Sequence, residues 1–71
     1  MVVDGGDIAV TTREALEMAI ESEEKAGDTY HELARQAEGP EGRLLFEQLA
    51  REEDVHHKRL MDKLKAIRLL G

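Results

Sequence analysis

Past residue 10, only one segment of this 71-residue chain interrupts a helical pattern: Glu38-Gly39-Pro40-Glu41-Gly42. Before it, Leu16, Ala19, Ile20, Ala26, Tyr30, Leu33, Ala34 and Ala37 recur at three- and four-residue steps, the period of an amphipathic helix. After it come Leu45, Leu49, Leu60, Leu64 and Ile67, with Phe46 and Met61 at the edges. Thr11 with Glu14 forms a capping box that satisfies orphan amides at a helix start. Gly39 suits a left-handed helix end, and Pro40 suits the first turn of the next helix. The spacing predicts a helix over 12–38, a tight turn and a helix over 41–69. A connection this short makes the two helices antiparallel neighbours. Residues 1–10, with Gly5, Gly6 and no period, read as a flexible tail. The folded unit is expected to be one all-α hairpin over 11–71.

Such a hairpin cannot cover its own apolar stripes. Chains this short typically bury only about 60% of their unfolded surface, and the usual remedies are disulfides, a metal or self-association. The chain has no cysteine, which removes disulfides, zinc–thiolate sites, iron–sulfur clusters and thiol nucleophiles together. Metal held by nitrogen and oxygen ligands, oligomerisation, or both remain. Pairing two hairpins into a four-helix bundle covers the stripes.

A net charge of −6 argues against nucleic acid and anionic membrane as partners, since both require basic surface. Lys58, Arg59, Lys63, Lys65 and Arg68 cluster towards the C-terminus, where cations complement a helix dipole. No apolar run approaches the ~20 residues of a membrane span. Met1 to Val10 lacks the basic start and apolar stretch of a signal peptide. A soluble cytoplasmic protein is the expectation.

The informative residues are the polar ones that interrupt the stripes. At about 100° per residue, Leu16, Gly27, Tyr30 and Ala34 fall within about 40° of Glu23 on the helical wheel. On the second helix, Leu49, Glu53, His56, Leu60 and Ile67 share a stripe, spaced four, three, four and seven residues. Carboxylates buried without partners cost several kcal/mol, so their presence on an apolar face requires a counter-charge. Their heights match. Glu23 lies about 16 residues before the turn, or roughly 24 Å along the helix, and Glu53 and His56 lie roughly 20–24 Å after it. All three therefore reach one layer of an antiparallel hairpin.

A Glu-x-x-His pair alone is common by chance in a chain with eleven glutamates and three histidines. The combination carries the argument: both members lie on the apolar stripe, and a third core carboxylate stands at the same height. One hairpin offers two carboxylates and one imidazole, and twofold pairing doubles this to four and two. Four negative carboxylates balance two divalent cations when the histidines are neutral. Carboxylate and imidazole donors suit iron, manganese or zinc rather than copper(I).

With these residues in view, the chain resembles the ferritin-like superfamily, and specifically the rubrerythrin di-iron domain. The matching segments are Ala19-Ile20-Glu21-Ser22-Glu23-Glu24-Lys25-Ala26, with Tyr30 seven after Glu23, and Leu45-Phe46-Glu47-Gln48-Leu49-Ala50-Arg51-Glu52-Glu53-Asp54-Val55-His56. Ferritin-like proteins place a Glu on each of two helices and Glu-x-x-His on each of the other two. The resemblance implies Glu23 as a terminal ligand, Glu53 as a bridging carboxylate and His56 as the imidazole ligand. It also implies Tyr30 close to the metals and two iron ions per dimer. Rubrerythrins carry both helix pairs in one chain. This chain carries one, and so is similar to the half-domain encapsulated ferritins, whose di-iron site forms between two subunits. The implied activity is that of a di-iron oxidoreductase acting on Fe²⁺ with O₂ or H₂O₂, either ferroxidase or peroxide reduction. The alternative is a non-enzymatic helical oligomerisation module stabilised by a metal such as zinc. Both readings expect a homodimer or higher homo-oligomer.

The remaining polar residues read more plainly. Glu52 lies nearer the stripe's edge, where it is expected to be a surface charge or to orient a ligand imidazole. His57 falls about 80° off the stripe's centre, and His31 is also off it; neither is expected to bind metal. Gly27, one turn from Glu23, either leaves room for metal ions or is simply tolerated. Leu16, Leu45, Leu49, Leu60 and Leu64 are expected in the core.

Overall fold

Thr11 opens the first helix through the expected capping box. Its hydroxyl accepts from the Glu14 amide at 3.0 Å, while Glu14 Oε1 accepts from the Thr11 amide at 2.9 Å. The computed structural model describes residues 10–70, and within them α1 spans Thr12–Gln36 and α2 spans Pro40–Leu70. Apart from Val10, which is exposed, the tail expected over 1–10 lies outside the described residues.

The turn differs in detail from the expectation. α1 ends at Gln36 rather than at residue 38, because Ala37 is already extended (φ −64°, ψ 132°). Gly39 was expected in a left-handed conformation, yet its φ is not in that region. Its carbonyl instead accepts the Arg43 amide at 3.1 Å, the opening hydrogen bond of α2. Gly39 therefore begins the second helix instead of ending the first. Pro40 disfavours a helical conformation at the residue before it, and its own missing N–H costs nothing at a helix start. The proline thus sets where α2 starts.

The two helices pack antiparallel into a slab of 46 × 32 × 12 Å. Glu17 near the start of α1 reaches Arg68 near the end of α2, at 3.5 Å. Such a slab is one helix thick, so each helix has a single neighbour. The buried residues are Ile20, Gly27 and Ala34 on α1, spaced by seven, with Ala50 and Leu64 on α2. Ile20 and Leu64 are the only large side chains among them. Each contributes about 1.5–3 kcal/mol through burial, against the ~5–15 kcal/mol by which folded domains are usually stable.

Of the five expected core leucines, Leu64 alone is buried. Leu16, Leu49 and Leu60 are half-buried, and Leu45 is 52% exposed. The reason is geometric. The sequence stripe is wider than one helix–helix contact, and its outer half has no neighbour within the chain. Small residues occupy the seam instead, and Ala50, with no exposed surface, has too short a side chain to stand out in a periodic pattern. Among the described residues the fold is all-helical, with no strand.

Candidate metal centre

Halfway along the hairpin, the layer predicted by counting residues from the turn is present. Glu23 comes from α1, and Glu53 and His56 come from successive turns of α2. One donor atom from each lies within 4.8 Å of the other two. His56 Nδ1 stands 3.7 Å from Glu23 Oε2 and 3.7 Å from Glu53 Oε1. Those separations are too long for hydrogen bonds. They match a different geometry: two donors each about 2.1 Å from a shared cation lie about 3–4 Å apart.

Burial sharpens the point. The Glu23 side chain is 26% exposed and that of Glu53 18%. Glu23 Oε2 is itself buried and has no hydrogen-bond partner. A buried carboxylate oxygen left unpaired is costly, and a cation held between Glu23, Glu53 and His56 removes that cost. His56 is 48% exposed. It lies on the edge of the hairpin, where the cluster opens to one face of the slab.

The other expected residues fall as follows. Tyr30 is half-buried on α1, two turns beyond Glu23. Glu52 is exposed and accepts a hydrogen bond from Gln48 Nε2 at 3.4 Å, one turn back on its own helix. His31 is exposed. Gly27 is buried, and a Cβ there would lie 3.8 Å from Glu53 Cβ, so α1 approaches α2 closely beside the cluster.

His57, expected about 80° off the stripe's centre and not as a ligand, is half-buried, and its Nε2 lies 2.9 Å from Glu24 Oε1. The stripe had been centred on Leu49, Glu53, His56 and Leu60. The seam actually runs through Ala50, His57 and Leu64, to one side of that line. A sequence signal existed in the doublets Glu23-Glu24 and His56-His57. Consecutive helical residues are about 100° apart, so one member of each doublet, Glu23 and His56, joins the Glu53 cluster and the other, Glu24 and His57, makes a separate cross-helix contact.

Comparison with known proteins bears on this layer. The Rubrerythrin family model matches residues 14–69. An uncharacterized protein of Archaeoglobus fulgidus is 41% identical over 61 residues, covering 86% of this chain and 95% of that protein. No solved structure matches significantly. The family match takes in nearly all of both helices and the whole Glu23–Glu53–His56 layer, and the chain belongs to the rubrerythrin family.

Proposed function

We propose that this chain is one half of a dinuclear iron oxidoreductase, in which two copies pair about a twofold axis and contribute Glu23, Glu53 and His56 each. The observation that carries the reading is the buried, unpartnered Glu23 Oε2 beside Glu53 and His56. A lone hairpin supplies only three donor residues on an open edge, whereas a pair supplies four carboxylates and two imidazoles around two divalent cations. Half-buried Ala19, Ala26, Tyr30 and Leu33 lie on the same side of α1 as Glu23, and small residues there let a second helix come close.

Bound iron would supply the electrons for reducing O₂ or H₂O₂, through oxidation of the ferrous state. The protein's own contribution is positional. Glu23 and Glu53 would hold the cations through their carboxylates in a partly buried layer. His56 would add a nitrogen donor from the adjacent turn. The surrounding apolar row limits water at the site once the second copy covers it, and Tyr30 lines that row. No protein nucleophile is required, because the redox chemistry belongs to the metal. Among the described residues no helix is long and apolar enough to cross a membrane, which suits the proposed cytoplasmic location.

The test is anaerobic loading with Fe²⁺, followed by stopped-flow mixing with O₂ or H₂O₂ and by sedimentation at the same concentrations. Two iron ions per dimer and rapid oxidation by one of the oxidants are expected. Protein that remains an 8.0 kDa monomer, or binds iron without oxidising it, would overturn the proposal.

A further inference from the structure

The two helices carry a second histidine–carboxylate pair, one residue along from the proposed ligands. Glu24 and His57 are bonded at 2.9 Å, next in sequence to Glu23 and His56. They line a cleft of about 310 Å³ together with Gly27, and the Glu23 and Glu53 side chains border the same cleft. Ionised Glu24 has only acceptor oxygens, so the His57 Nε2–H is the donor.

The seam explains why this bond matters. Apolar layers hold the helices on either side of the ligand layer, with Ile20 and Leu64 towards the open end and Ala34 and Ala50 towards the turn. Between them the α1 seam position is Gly27, which has no side chain to interdigitate and faces Glu53 of α2, with His57 one turn further along α2. Apolar packing therefore fixes the layers above and below but leaves the middle one without a knob of its own. A specific polar contact between two helices is a device that can fix their register, and here half-buried His57 makes one with Glu24. Glu24–His57 is the only cross-helix hydrogen bond found in that stretch among the described residues; the other, Arg68–Glu17, lies near the open end.

We infer that Glu24 and His57 form a positioning clamp for the metal centre: their bond holds α2 in the register that brings Glu53 and His56 level with Glu23. Neither residue touches the metal. The inference rests on the proposed dinuclear site and adds to it two residues that act through the ligands rather than as ligands.

The experiment uses the full chain and Co²⁺ as a spectroscopic probe. Wild type, Glu24→Ala, His57→Ala, the double variant and His57→Gln are titrated for stoichiometry, affinity and the visible absorption band of bound cobalt, with apo melting recorded alongside. Each alanine variant should keep the wild-type stoichiometry but bind about three- to tenfold more weakly, with a shifted cobalt band. The double variant should bind no more weakly than either single one, because both break the same contact. His57→Gln should restore most of the affinity, since its amide can still donate to Glu24. Lost stoichiometry in His57→Ala would make His57 a ligand and overturn the clamp. Affinity and spectrum unchanged in both single variants, additive losses in the double one, or failure of glutamine to rescue would overturn it too, while leaving the dinuclear reading intact. Wild-type protein that takes up no cobalt or iron at all would overturn the dinuclear reading, and the clamp with it.

Discussion

Glu23 Oε2 and His56 Nδ1 face each other across the hairpin at 3.7 Å, close enough to share a cation and too far apart to share a proton. They come from different helices and are 33 residues apart in sequence, so the contact depends on where the turn lies. Moving Pro40 by one residue would move His56 about 1.5 Å along the axis and rotate it about 100°. The turn and the site are thus one design.

The first prediction follows from that contact. Glu23→Ala, Glu53→Ala and His56→Ala should each lower bound iron sharply, by tenfold or more in affinity. His31→Ala, altering an exposed residue, should leave it within twofold of wild type. Elemental analysis of protein purified without added metal, followed by equilibrium titration, measures both. Near-full iron content in Glu23→Ala would remove the unpaired carboxylate oxygen as the reason for the site.

Replacing the negative charges while keeping their shape should separate binding from folding. In the proposed pair, Glu23 and Glu53 from both copies put four like charges in one layer, and without metal they repel one another. Glu23→Gln with Glu53→Gln should therefore abolish metal uptake yet melt at a higher temperature than wild-type apo protein. A double variant that melts no higher means the carboxylates are not gathered in a shared interior.

Much of this was legible before any coordinates. The capping box at Thr11, the two helices and the common height of Glu23, Glu53 and His56 all follow from short-range chemistry and a constant rise per residue. Rotation about each helix axis was harder to read. Leu45 looked like core because leucines define a stripe, but the seam is set by where backbones come closest, and that favours Gly27, Ala34 and Ala50. Small residues leave a faint hydrophobic signature, so the seam was misplaced by tens of degrees and the half-burial of His57 was not foreseen. Gly39 was misread for a related reason: glycine suits a helix end and a helix start alike, and the proline after it decided between them.

Gly27 gives a test of packing beside the site. A methyl group there would meet Glu53 Cβ at 3.8 Å and Asp54 Oδ1 at 4.0 Å, both ordinary contacts. Alanine is favoured over glycine in a helix interior by about 0.8–1.0 kcal/mol, which for a chain of this size corresponds to roughly 4–8 °C in Tm. Gly27→Ala should therefore raise the melting temperature of apo protein at fixed concentration. If metal affinity falls at the same time, the space beside Glu53 is needed by the centre; a lower melting temperature would contradict the packing described.

The half-buried row predicts how assembly can be broken. Ala26 lies on the same side of α1 as Glu23 and is half-buried without a neighbour from α2 to cover it fully. Ala26→Arg places a long cation where the proposed second copy approaches. Sedimentation should then show monomer in place of dimer, with iron binding weakened more than tenfold. A dimer of undiminished stability in Ala26→Arg would put the interface on another face.

The last prediction concerns acid. Glu14 is held below the usual glutamate range first by its hydrogen bond with the Thr11 backbone and then by the Thr11 hydroxyl, and Glu32 is held below it by its bonds to Gln36 and then Arg35. A carboxyl whose folded value is depressed adds stability above its unfolded value, near about 4.3. That stability is lost as pH falls through the lower, folded value. Both contributions are therefore present at neutral pH and disappear in acid. Glu14→Gln mimics the protonated side chain in shape while keeping an oxygen that can accept from Thr11. Apo wild type should melt above apo Glu14→Gln at pH 7, and the gap should narrow as pH falls below the ordinary glutamate value of about 4.3. Thr11→Ala should cost about 1 kcal/mol at pH 7 by removing the other half of the cap. Melting curves for wild type and Glu14→Gln that keep a constant separation from pH 7 to pH 3 would mean that the charge of Glu14 does not stabilise the start of α1.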